Sequence, residues 1–129
     1  MKPPDLAQFD NANVRNWTGA LEPLHTAATQ AQLRFNRVNL APVKDKAGLM
    51  SALASGLKLP EHFGHNFDAL ADSLEDRECV GKKGCVVVLE HADGYRKAHP
   101  GDWRALNEIL DEAVEFWKER MVAFWVFVT

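Results

Sequence analysis

Two runs near the C-terminus constrain the fold most. Residues 85–89 read Cys-Val-Val-Val-Leu, and residues 122–128 read Val-Ala-Phe-Trp-Val-Phe-Val, apolar at every position. A strand with one wet face alternates apolar and polar residues, whereas a strand without alternation is covered on both faces. Between the runs, Trp103, Leu106, Leu110, Ala113, Val114 and Trp117 recur at helical spacing, so residues 102–119 form a long amphipathic helix with Asp102 as its N-cap. Strand, helix, strand in that order favours parallel pairing through a right-handed crossover. The pattern predicts a parallel sheet with helices on its faces.

A third strand lies upstream. Residues 33–40 alternate apolar and polar, giving one buried face. Before it, Leu24, Ala27, Ala28 and Ala31 repeat at helical spacing, with Pro23 suited to the first turn. After it, Pro42 breaks the pattern and Asp45 can cap a helix striped by Met50, Leu53, Ala54 and Leu57. Gly56 stands where helices often end in a left-handed residue, and Pro60 closes the element. Residues 92–101 read as a polar connection. Residues 1–17 are polar, contain Pro3-Pro4, and read as a loose or partly ordered arm. The expectation is an α/β fold: a three-stranded parallel sheet flanked by helices, with residues 1–32 as an extra N-terminal segment (arm plus helix) and residues 33–129 as the main domain.

At 129 residues the chain is most simply one domain, able to bury roughly two thirds of its unfolded surface. Trp103, Phe116, Trp117, Phe124, Trp125 and Phe127 are assigned to its core, with Phe116 or one strand aromatic partly exposed. The longest apolar run, residues 121–128, is far short of the ~20 residues that span a bilayer. The first residues lack the apolar stretch of a secretory leader, so the expected location is the cytoplasm, away from membranes. Cys79 and Cys85 are too few for a disulfide framework and read as reduced thiols. His25, His91 and His99 read as scattered polar residues.

Formal net charge is only −3, but it is unevenly spread. Residues 61–78 hold Glu61, Asp68, Asp72, Glu75, Asp76 and Glu78 against the single Arg77. Nucleic acid is a poor partner for such a patch, because phosphates need Lys and Arg, whereas a basic protein surface is a good one. Within this stretch Pro60 and Gly64 bracket a short loop and Asn66 is a good N-cap. Phe67, Leu70, Ala71 and Leu74 then make an apolar stripe, while Asp68 and Asp72, four apart, share the opposite face and Glu75 and Asp76 extend it. Like charges at this spacing cost a helix a few tenths of a kcal/mol. Asp68 recovers part of that in the first turn, near the positive end of the helix dipole, and Asp72 does not.

The same segment resembles the barstar family, intracellular inhibitors of the ribonuclease barnase. The likeness rests on Leu59-Pro60-Glu61, the ring-bearing pair His62 and Phe63, Gly64, Asn66, Asp68-Ala69-Leu70 and Asp72. The order of elements from residue 33 to residue 129 also resembles that fold. The resemblance implies a non-enzymatic protein that blocks the basic active site of a ribonuclease, with no cofactor. It implies Asp72 as the principal anchor and Asp68 as a second acidic contact, with His62, Phe63, Gly64, His65 and Asn66 as loop contacts. Glu75 and Asp76 would mainly steer encounter. A further acidic contact could come from Glu108 or Asp111. Two matched positions depart from the family: His62 replaces a tyrosine and Ala71 a tryptophan. They leave open a barstar-like interaction module with a non-nuclease partner. A remoter alternative is a metal-dependent hydrolase using His62, His65, Asp68 and Asp72, whose imidazoles and carboxylates suit zinc or manganese. No nucleophile elbow, P-loop or dinucleotide fingerprint is present.

Overall fold

The computed structural model describes residues 2–129. A 3-10 turn (Phe9–Asn11) leads into strand β1 (Val14–Asn16) and helix α1 (Glu22–Gln30). There follow β2 (Arg34–Asn39), α2 (Lys46–Gly56), α3 (Phe67–Leu74), α4 (Arg77–Val80), β3 (Gly84–Glu90), α5 (Asp93–Ala98), α6 (Pro100–Lys118) and β4 (Ala123–Val128). The sheet has four strands in the order β1-β4-β3-β2, and every pairing is parallel.

The fourth strand corrects the expected three. It comes from the segment read as a loose arm. Val14 pairs with Val126, Trp17 N–H donates to Val128 O at 2.8 Å, and Val126 N–H donates to Asn13 O at 3.2 Å. Leu6 and Trp17 are each only 2% exposed, and Leu6 O accepts the Trp125 indole N–H at 2.9 Å. The Trp17 ring meets Phe127 edge-on at 5.8 Å, and the Arg15 guanidinium lies over Trp125 at 5.3 Å. Three residues are too few to show a period, so β1 had no signature of its own. Its place is set by β4, whose apolar residues would otherwise border water along an unpaired edge.

All six residues of β4 are buried, as are the first six of β3. Trp103, Leu106, Leu110, Ala113, Val114 and Trp117 of α6 are buried as the spacing predicts, and Phe116 is the partly exposed aromatic. Asp45 caps α2 by accepting Gly48 N–H at 2.7 Å. Three details differ from expectation. Gly56 is helical, and the left-handed residue is Lys58 (φ 54°). Gly56 serves close packing instead, since a Cβ there would stand 2.6 Å from Arg37 O and 2.7 Å from Val38 Cγ2. Helices α4 and α5 were not anticipated, being too short to show a stripe. Helix α6 begins at Pro100, so Asp102 sits in its first turn rather than at the cap and accepts the Tyr95 hydroxyl at 2.9 Å.

Gly84 opens β3 at φ 117°, where a Cβ would lie 1.9 Å from Ala123 O. Left-handed strain and backbone overlap together make Gly84→Ala a change of more than about 3 kcal/mol. Trp17→Ala should cost about 3–5 kcal/mol as a buried aromatic deletion, and close to nothing if the first residues were a loose arm. Urea denaturation followed by tryptophan fluorescence reads both.

Candidate functional site

The loop between α2 and α3 is built around one buried ring. Phe63 is 6% exposed and its N–H donates to Pro60 O at 2.9 Å, closing a turn. Phe63 is therefore a loop anchor and not the surface contact that the resemblance implied. His65 takes the left-handed conformation (φ 52°), and its ring Nδ1–H donates to Phe63 O at 2.9 Å. Gly64 does not need a positive φ. It is small because a Cβ would meet Asn66 Nδ2 at 3.1 Å and Ala69 Cβ at 3.3 Å, where the loop folds onto the helix start.

Asn66 caps α3 as its position predicts. Its Oδ1 accepts Ala69 N–H at 2.7 Å, and its Nδ2 donates to Gly64 O at 3.1 Å. Those bonds fix the Asn66 side chain, which stays exposed together with His62, Gly64 and His65. Leu70 and Leu74 are buried, while Phe67, Ala69 and Ala71 are half-buried. At the far end of α3 the Trp117 indole N–H donates to Leu74 O at 2.6 Å, satisfying a carbonyl that has no partner within the helix.

This leaves Asp68 and Asp72 exposed together on the outer face of α3. The ion pairs among the described residues join Arg37 to Glu90, Arg96 to Asp93, Lys118 to Glu115 and Arg120 to Glu119, so none involves Asp68 or Asp72. Glu75 is exposed at the helix end. Asp76 is exposed too, but its carboxylate caps α4 by accepting Glu78 N–H at 2.8 Å. Its charge remains, while its geometry is committed. A cleft of about 270 Å³ runs between loop and helix, with His62, Gly64, Asp72, Ser73 and Cys79 among its walls. Glu108 and Asp111 are exposed on α6.

Among the described residues, no three His, Cys, Asp or Glu side chains converge to hold a metal ion. The structure does not bring His62, His65, Asp68 and Asp72 together as ligands, because His65 is turned back onto Phe63 and the two aspartates point off the helix. Both cysteines are free thiols. Burial pushes the Cys85 thiol up to about 12. Burial also raises Cys79, helped by the carboxylates of Asp76 and Glu78 against an opposing pull from Arg34. Neither is poised as a thiolate nucleophile. No helix among the described residues is long and apolar enough to cross a membrane.

A four-stranded parallel sheet flanked by helices thus carries an acidic, loop-capped helix at its surface. The chain belongs to the barstar family. The family model described as Barstar (barnase inhibitor) matches residues 33–129, which takes in β2 through β4 and all of the acidic face. No curated protein matches the chain by sequence.

Two substitutions separate the scaffold of this site from its exposed charge. Asn66→Ala should cost about 1 kcal/mol of stability through the lost cap. Asp72→Ala should leave stability unchanged or raise it by a few tenths of a kcal/mol, because it relieves repulsion from Asp68. Thermal unfolding followed by circular dichroism distinguishes the two.

Proposed function

We propose that this protein inhibits a small basic ribonuclease inside the cell by laying the outer face of α3 and the loop at residues 62–66 into the enzyme's phosphate-binding cleft. The observation that carries this reading is the pair Asp68 and Asp72. They are exposed, one turn apart, on a helix anchored at both ends, and among the described residues neither forms an ion pair. Two carboxylates so held can replace two phosphate positions of a substrate without first breaking any internal bond. Asp72 is the principal anchor and Asp68 the second. His62, Gly64, His65 and Asn66 supply the loop surface. Glu75 and Asp76 add long-range attraction that speeds encounter.

Membership of the barstar family supports this reading. A non-nuclease protein partner is the second reading, and Ala71 favours it. That residue is half-buried on the same helix, so the surface beside Asp68 and Asp72 is flatter there than a large aromatic would make it.

Barnase is the natural first probe, assayed by RNA hydrolysis with increasing inhibitor. Capture on immobilised protein from native lysate and medium is the second step. The expected partner is a basic ribonuclease bound in equimolar amount. Asp72→Ala should weaken it by about 2–5 kcal/mol, a range to which the barnase–barstar pair itself contributes. The association rate should fall steeply as salt rises, with a smaller change in dissociation. Partners that bind Asp68→Ala and Asp72→Ala as tightly as the unaltered chain would overturn the reading, as would a partner with an acidic contact surface.

A further inference from the structure

Three chain entries into the sheet surround a second cleft. Helix α1 stops with Gln32 left-handed (φ 61°) and Leu33 N–H donating back to Ala28 O at 2.9 Å. Helix α6 stops the same way, with Met121 left-handed (φ 59°) and Val122 N–H donating to Trp117 O at 2.9 Å. The left-handed place in such a stop is most often glycine. Here it carries a methionine that is 73% exposed, the large apolar side chain most open to water among the described residues. Lys82 and Lys83 form the third entry, leading into β3 at Gly84.

The space between these entries is about 340 Å³, within the range of small-molecule pockets. Leu33, Met121 and Val122 are apolar walls, and the N-terminal segment adds Ala7 and Phe9. Among the described residues its charged walls are Lys82 and Lys83, so two ammonium groups share the cleft with no carboxylate. Lys83 Nζ donates to Gln32 Oε1, a neutral partner that leaves its charge in place. Of the nearby acids, Asp5 accepts Ala7 N–H at 3.1 Å, and Glu119 lies 4.0 Å from Arg120. Ala7 and Phe9 precede the family match at residue 33, so this cleft owes one wall to the part of the chain outside it.

We propose that the cleft binds a small amphipathic carboxylate, with the anionic group at Lys82 and Lys83 and the apolar body against Phe9, Leu33 and Met121. Apolar walls with a few convergent polar groups are the usual make-up of a ligand pocket. Lysines supply point charges rather than a planar fork, which suits one anionic group more than a bidentate pattern. The unbranched methionine at the mouth can adapt to the shape of the apolar body. No residue of the loop at 62–66 or of α3 is among the walls, so this site stands independently of the docking face.

Octanoate and phenylbutanoate, titrated into the isotope-labelled intact chain and followed by NMR, test it. Both should shift the amide signals of Phe9, Leu33, Lys83 and Val122 saturably and leave those of α3 unmoved. Acetate lacks the apolar body and octylammonium reverses the charge, so each should bind about fivefold or more weakly than octanoate. The double variant Lys82→Gln and Lys83→Gln should weaken octanoate by about fivefold, the scale expected for two exposed charges. Ala7→Phe fills the cleft from its exposed rim and should abolish binding. Thermal melts confirm that the variants are folded, and the lysine variant decides if Ala7→Phe is not. The proposal is overturned if neither carboxylate binds at millimolar concentration, or if acetate or octylammonium binds as tightly as octanoate. It is equally overturned if either folded variant binds octanoate as the unaltered chain does.

Discussion

The burial of β4 on both faces and along both edges is the constraint from which the rest of the molecule follows. Its residues from Ala123 to Val128 leave no side free for solvent, so helices must cover both faces and strands must take both edges. On one edge β3 supplies an equally apolar neighbour. On the other, β1 supplies only three residues, yet the segment around it delivers Leu6, Trp17 and the Arg15 guanidinium against the aromatic surface of Trp125 and Phe127. The N-terminal segment is thus part of the core, although the family match begins only at residue 33.

That core dictates where the acidic helix can stand. Between β2 and β3, which pair in parallel, the chain must return to the end of the sheet where β2 began, and α2, α3 and α4 make up that connection. Helix α3 is part of that return. It is pinned by Leu70 and Leu74 beneath, by Asn66 at its start and by Trp117 at its end. With one face fixed, Asp68 and Asp72 have no choice but to project outward. Their mutual repulsion is small beside the apolar burial on the opposite side, so the fold tolerates a charge arrangement that local helix energetics disfavour. A surface held rigid at such a local cost is well suited to recognising opposite charge, because little ordering remains to be done on contact.

Rigidity extends beyond the carboxylates. Arg77 and Arg120 are stacked on rings whose positions α6 fixes, while His65 is folded back onto its own loop. The cleft between loop and helix is therefore walled by groups held in place, Asp72 and Asp76 among them. Such a surface favours selection among partners over indiscriminate attraction to any basic protein.

Much of this was legible from residue order. The unbroken apolar runs implied a parallel sheet covered on both sides. The spacing of Leu70, Leu74, Asp68 and Asp72 implied a helix with one buried and one acidic face, and Asn66 implied where it starts. These are local properties, set by backbone periodicity and capping chemistry. The tertiary structure decided what depends on distant neighbours. It decided that Val14–Asn16 is a strand, because β4 offers an edge at Val126 to Val128, at the other end of the chain. It turned Phe63 inward and spent the carboxylate of Asp76 on a helix cap. It also set the Arg77 guanidinium over Trp117, a ring from a helix on the far side of β3 in the chain. Sequence shows which residues can form an element. Which surfaces those elements hide or display depends on long-range packing.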